Sequence, residues 1–173
     1  MLGVSERSQK PCSAGYVHAY VHTGNQVGVL LELNCETDFV ARTAEIKNLA
    51  QELALQIASM KPAYIAEEDV PHDVFWQEYD ICREAASQQS SIKAKPPEIQ
   101  EKIIQGKFDK VLDQLCLLRQ TTIRDPGMIV REQIQEVSAK VGENILIKRF
   151  VRSTLVNKTK SSLYIHPPRE IFL

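Results

Sequence analysis

Side chains that could do covalent chemistry occur in this chain, but none has the neighbours that would let it work. Glu67, Glu68 and Asp69 form an acidic run of the kind general acid–base catalysis draws on, yet no nucleophile, histidine partner or glycine-rich loop accompanies them. They read as a solvated charged loop. His18 and His22 fall on one face of an alternating segment and invite a metal ion, but at ~3.3 Å per residue they lie about 13 Å apart, too far to share one. They are expected at the surface of a sheet. Cys12, Cys35, Cys82 and Cys116 are widely spaced with no Cys-x-x-Cys pair, so neither a zinc site nor a redox motif is spelled out, and a reducing compartment is the simpler reading. No Gly-x-x-x-x-Gly-Lys-Ser/Thr segment is present, so the chain is not itself a P-loop GTPase. The expectation is a protein without catalytic residues, metal or cofactor.

The informative segment is Leu33 to Arg42, where a strand runs straight into a helix with a large aromatic at the join. Thr37 and Asp38 are good N-cap residues, because a side-chain oxygen can accept from a free backbone N–H of the first turn. Phe39 and Val40 then occupy that turn. A capped helix tip carrying Phe suits entry into another protein's groove. The opposing reading is that Phe39 belongs to the core: it stands seven residues before Ile46, on the buried stripe of the helix that follows, extrapolated backward. Thr43 is a second N-cap candidate, however, and a break there would free Phe39 from that stripe.

The elements that position this tip follow from periodicity. Residues 1–14 have no period and read as a flexible lead-in. Val17, Ala19 and Val21 alternate with Tyr16, His18, Tyr20 and His22; Thr23-Gly24-Asn25-Gln26 is turn chemistry; Val27, Val29, Leu31 and Leu33 alternate again, which makes a β-hairpin. Ile46, Leu49, Ala50, Leu53, Ile57 and Met60 mark a helix packed on the hairpin. Pro71 opens a second, with Phe75, Tyr79, Cys82 and Ala86 on one face, and a polar spacer follows from Ser87 to Lys95. Pro96-Pro97 opens a third with Ile99, Ile103, Phe108, Val111, Leu115 and Leu118 inward, interrupted by Gly106. A fourth carries Val130, Ile134, Val137 and Val141 and stops at Gly142, and the segment from Ile145 to Leu155 is a last strand. The fold class is α+β, a small antiparallel sheet of the hairpin plus a C-terminal strand, with about four helices packed on one side. Residues 15–156 form one domain, and 157–173 are an unassigned tail.

At 173 residues, 43% hydrophobic and 25% charged, the chain can bury a core. Its formal net charge of −1 argues against direct nucleic-acid binding, which needs a concentrated basic face. No apolar run reaches the ~18 residues of a membrane span, and the N-terminus lacks a signal peptide's apolar middle.

The run Asn34-Cys35-Glu36-Thr37-Asp38-Phe39-Val40-Ala41-Arg42 resembles the signature of the translation elongation factor Ts family. Gly15 to His22, Val27 to Glu32, Val141-Gly142-Glu143-Asn144-Ile145 and Lys148-Arg149-Phe150 agree with it in order and spacing. The resemblance implies a guanine nucleotide exchange factor for elongation factor Tu. The tip Thr37-Asp38-Phe39-Val40 would insert between two helices near the GTPase's nucleotide site, displace elements supporting the Mg2+ ion and release GDP. Phe39 would be the apolar anchor, and Asp38 would cap its own helix and make a polar contact. Arg42 and Gln56 are secondary contact candidates; Gln56 stands where many relatives carry His and where cyanobacterial and plastid members carry Gln. The resemblance also implies the short, single-core form, which pairs as a homodimer, in a bacterial cytoplasm or plastid stroma. The family's N-terminal three-helix module with its Thr-Gly-Ala-Gly stretch is not recognisable. The alternative is a structural or ribosome-associated binding module of the same fold without exchange activity.

Overall fold

The computed structural model describes residues 12–155. The lead-in up to residue 11 and the tail from residue 156 lie outside the described residues. Strands β1 (Ala14–Val21) and β2 (Val27–Cys35) form the expected hairpin, and β3 (Leu146–Thr154) pairs antiparallel with the other edge of β2. At the hairpin turn Asn25 N donates to His22 O at 2.9 Å, and Gly24 and Asn25 take φ of 93° and 55°, values that a glycine and a short polar residue tolerate. The helices are α1 (Asp38–Ala41), α2 (Ala44–Met60), α3 (His72–Ser87), α4 (Ser90–Lys93), α5 (Pro97–Leu115) and α6 (Val130–Val141). The class is α+β.

Two apolar clusters hold these elements. In the first, β2 contributes Val29, Leu31, Leu33 and Cys35 at every second position, and α2 lays Ile46, Leu49, Ala50, Leu53 and Ile57 across them. Val130 and Ile134 of α6 close its far side. Met60, expected on the same stripe, is half exposed at the helix end. The second cluster is built by α3 and α5 around Phe108, whose ring meets those of Phe75 and Tyr79 edge-on at 4.8 and 5.4 Å. The buried stripe of α5 is Ile104, Phe108 and Leu112. Ile99 is exposed, and Leu118 lies beyond the helix end and packs on the first cluster, both against expectation. The polar spacer from Ser87 also conceals α4, whose Ile92 is buried in the second cluster; a single apolar residue in a polar stretch leaves no period to read.

The face of β1 that carries His18 and His22, expected at the surface, is the more buried of the two. Val17 and Val21 are 59% and 63% exposed, whereas Tyr16 and Tyr20 pack against the core and His18 Nε2 lies 2.9 Å from Gln51 Oε1 of α2. Long amphipathic rings on an edge strand can cover the flank of a helix while their polar tips stay near water. The β-branched residues are therefore left on the open face, beside the half-exposed Leu30 of β2 and Val151 of β3.

Candidate functional site

The chain leaves β2 at Cys35 and makes the single turn of α1 before α2 begins. Thr37 is the N-cap of α1: its backbone is extended, with φ −129° and ψ 153°, and its Oγ1 accepts from Val40 N at 3.4 Å. Asp38 is therefore the first helical residue and not the cap, as had been expected of it. Its carboxylate accepts from Arg42 Nη2 at 3.0 Å, in an exposed pair that adds little stability and leaves both groups accessible.

The break at Thr43 is real. Thr43 is extended, its Oγ1 accepts from Ile46 N at 3.4 Å as the cap of α2, and the same hydroxyl donates to Val40 O at 2.7 Å. One side chain thus ends α1 and starts α2. Because of that break Phe39 leaves the helical stripe of α2 and stands 78% exposed, while Val40 and Ala41 below it are buried at 7% and 4%. Of the expected tip, Thr37, Asp38 and Phe39 form the surface, and Val40 is its footing in the core. Arg42 shares that surface, on the same turn as Asp38.

Gln56 does not join them. It is 3% exposed, its Nε2 donates to Gln120 Oε1 at 3.1 Å and to Thr121 O at 3.0 Å, and its Oε1 accepts from Ile123 N at 3.0 Å. A buried amide with both ends satisfied ties α2 to the loop before α6, so Gln56 is a structural cross-link and not a surface contact.

Sequence reasoning assigned no role to Glu143, which sits beside the tip. Its Oε2 accepts from Glu36 N at 3.1 Å and Thr37 N at 3.0 Å, and its Oε1 accepts from Thr37 Oγ1 at 2.6 Å. In return Asn144 N donates to Glu36 Oε1 at 3.0 Å. Cys35 Sγ donates to Thr37 O at 3.1 Å from the core side, and burial first, then the Glu143 carboxylate, pushes that thiol's pKa up. The hints in the sequence were the position of Glu143 directly after a helix-ending glycine and its place in the segment 141–145 that carries the family resemblance.

The other chemistry-bearing groups settle elsewhere. Glu67 lies in a short 3-10 turn and pairs with Arg119 Nη1 at 2.6 Å, and the same guanidinium reaches Asp113 at 2.8 Å. All four cysteines are free thiols. No group of three or more His, Cys, Asp or Glu among the described residues is placed to hold a metal ion, and no described helix is long and apolar enough to cross a membrane.

Fold and site define an α+β domain that displays one aromatic side chain on a short helical tip anchored in its core. Residues 4–140 match the family model described as Elongation factor TS. The chain is 45% identical over 148 residues to the elongation factor Ts of Moorella thermoacetica, covering 86% of this chain and 71% of that protein. It is 48% identical over 147 residues to that of Thermotoga petrophila, covering 85% and 71%, and 41% identical over 155 residues to that of Carboxydothermus hydrogenoformans, covering 90% and 70%. The chain belongs to the elongation factor Ts family.

Proposed function

We propose that this protein is a guanine nucleotide exchange factor that binds elongation factor Tu in its GDP form, inserts the tip Thr37-Asp38-Phe39-Val40 near the nucleotide site, displaces the Mg2+ ion and releases GDP. The observation that carries the reading is Phe39, a large apolar side chain 78% exposed on a turn whose next two residues are buried. It is the most exposed large apolar side chain among the described residues, and aromatic side chains are enriched at the centres of protein interfaces. Asp38 and Arg42 flank it as polar contacts on the rim. No bond is made or broken. The factor favours the nucleotide-free GTPase, and by linkage GDP weakens the factor's grip as much as the factor weakens GDP's. The Mg2+ ion bridges phosphate oxygens, so its loss removes the main counter-charge holding the nucleotide.

Two further points belong to the same reading. The open sheet face, with Val17, Val21, Leu30 and Val151, carries the Glu32–Arg149 pair at 2.7 Å beside it. A patch bearing both charge signs around an apolar centre can meet its own copy about a twofold axis, and we assign the homodimer to this face. The working site is a bacterial cytoplasm or a plastid stroma, and the bacterial origin of the relatives named above supports the former.

Release of a fluorescent GDP analogue from elongation factor Tu, with and without the chain and across a range of free Mg2+, tests the proposal. Acceleration that weakens as Mg2+ rises is expected. Binding without acceleration would leave a non-exchanging module of the same fold, and acceleration indifferent to Mg2+ would remove the ion-displacement step.

A further inference from the structure

We propose that Glu143 is the positioning residue of the tip: it reaches from the end of α6 to hold the entry to α1 in the geometry that presents Phe39. The proposal rests on the exchange reading for its purpose, and on hydrogen bonds for its substance. A four-residue helix cannot hold itself, since the first turn fixes several residues for one hydrogen bond. Its own cap is weak, with Val40 N at 3.4 Å from Thr37 Oγ1. The strong contacts come from Glu143, whose three accepted bonds run from 2.6 to 3.1 Å and gain from the carboxylate's charge.

The division of labour at Thr37 makes the dependence specific. A hydroxyl has one proton and two lone pairs. Given to Glu143 Oε1, the proton leaves a lone pair for Val40 N, so the carboxylate sets the hydroxyl in its capping orientation as well as gripping the backbone on either side of Glu36. Glu143 is in turn fixed by Gly142, whose φ of 79° turns the chain out of α6, and by Ser138 Oγ, which donates to Glu143 O. The Asn144 N to Glu36 Oε1 bond closes the exchange of contacts. These groups meet across 106 residues of sequence, so the end of α6 and the tip are joined by direct hydrogen bonds and not through the chain between them.

The test is hydrogen exchange on the free protein together with nucleotide-release kinetics. In Glu143→Ala the amides of Val40, Ala41 and Thr43 should exchange roughly tenfold faster or more, while those of Leu49 and Leu53 in α2 keep their protection, because water can replace the lost acceptor at this exposed edge. Glu143→Gln keeps the shape and one acceptor oxygen but loses the charge and the second acceptor, so it cannot serve the Thr37 hydroxyl and the two backbone N–H groups as the carboxylate does, and it should fall between the wild type and Glu143→Ala. Catalysed GDP release should drop by roughly tenfold in Glu143→Ala and hardly at all when that change is added to Phe39→Ala, since both act through one tip. Unchanged protection at Val40 to Thr43, or losses that simply add, would overturn the proposal. A wild-type chain that releases no GDP, with the tip still loosened by Glu143→Ala, would refute the exchange reading and uphold the clamp.

Discussion

Phe39→Ala separates a residue made for a partner from a residue made for the fold. At 78% exposure Phe39 contributes little burial, so its removal should change stability by no more than about 0.5 kcal/mol, the usual range for surface positions. As an interface anchor it should cost about 2 kcal/mol or more of binding, a fall of roughly 30-fold in affinity for elongation factor Tu. Leu53→Ala is the control. That side chain is 0% exposed between α2 and the sheet, and its truncation should cost about 2–5 kcal/mol of stability. For a chain of this size, this lowers the melting temperature by roughly 4–20 °C. Calorimetric melts of both variants beside titration calorimetry with the GTPase decide the matter. A drop of more than about 5 °C for Phe39→Ala, or unaltered affinity, would refute the assignment of this residue to the partner's side of the surface.

Three other outcomes follow from the packing. Leu30→Glu places a charge in the middle of the open sheet face and should convert a dimer to a monomer of unchanged melting temperature; light scattering reads the mass, and a dimer that persists would move the interface elsewhere. Gly106→Ala in α5 adds a methyl group that meets nothing within 4 Å and should stabilise the chain by about 0.5–1 kcal/mol in urea titrations. Burial pushes the Cys116 thiol from an ordinary value of 9.0 up to about 11. Because the folded pKa is the higher one, the unfolded chain loses its proton first: the stability held by the protonated thiol is present in full below pH 9 and is lost as pH climbs to 11, by about 2–3 kcal/mol, and Cys116→Ala should flatten that limb of the pH–stability curve.

What was legible depended on how local the physical cause was. Both threonine caps could be read from the chain because a cap acts within three residues, and the exposure of Phe39 followed once Thr43 was allowed to break the helix. The hairpin and the stop at Gly142 are likewise local. The facing of β1 was not legible. Alternation separates Val17 from His18 but does not say which side a distant helix will cover, and α2 covers the side with the rings. Gln56 misled for the same reason, since a glutamine on a helix looks solvated until Gln120, Thr121 and Ile123 arrive from more than 60 residues away to satisfy it. Glu143 is the extreme case: two of its three donors are backbone N–H groups, which leave no trace in residue types, and the third is the Thr37 hydroxyl, 106 residues away in the chain.

That distant residue bears on how a tip of four residues could do mechanical work on another protein. Ordering a side chain or loop at the moment of binding consumes interaction energy that would otherwise appear as affinity. Here Val40 and Ala41 are packed, Thr43 locks the rear of α1 and Glu143 locks its front, so the ordering is completed when the chain folds. On the proposed reading, contact energy at Phe39 is then available against the GTPase, and the part of it made only with the nucleotide-free form appears as weakened GDP binding. On the same reading, a loose tip carrying the same Phe39 would bury the same area against the partner and promote exchange more slowly, so the residues around the tip should matter as much as the aromatic they present.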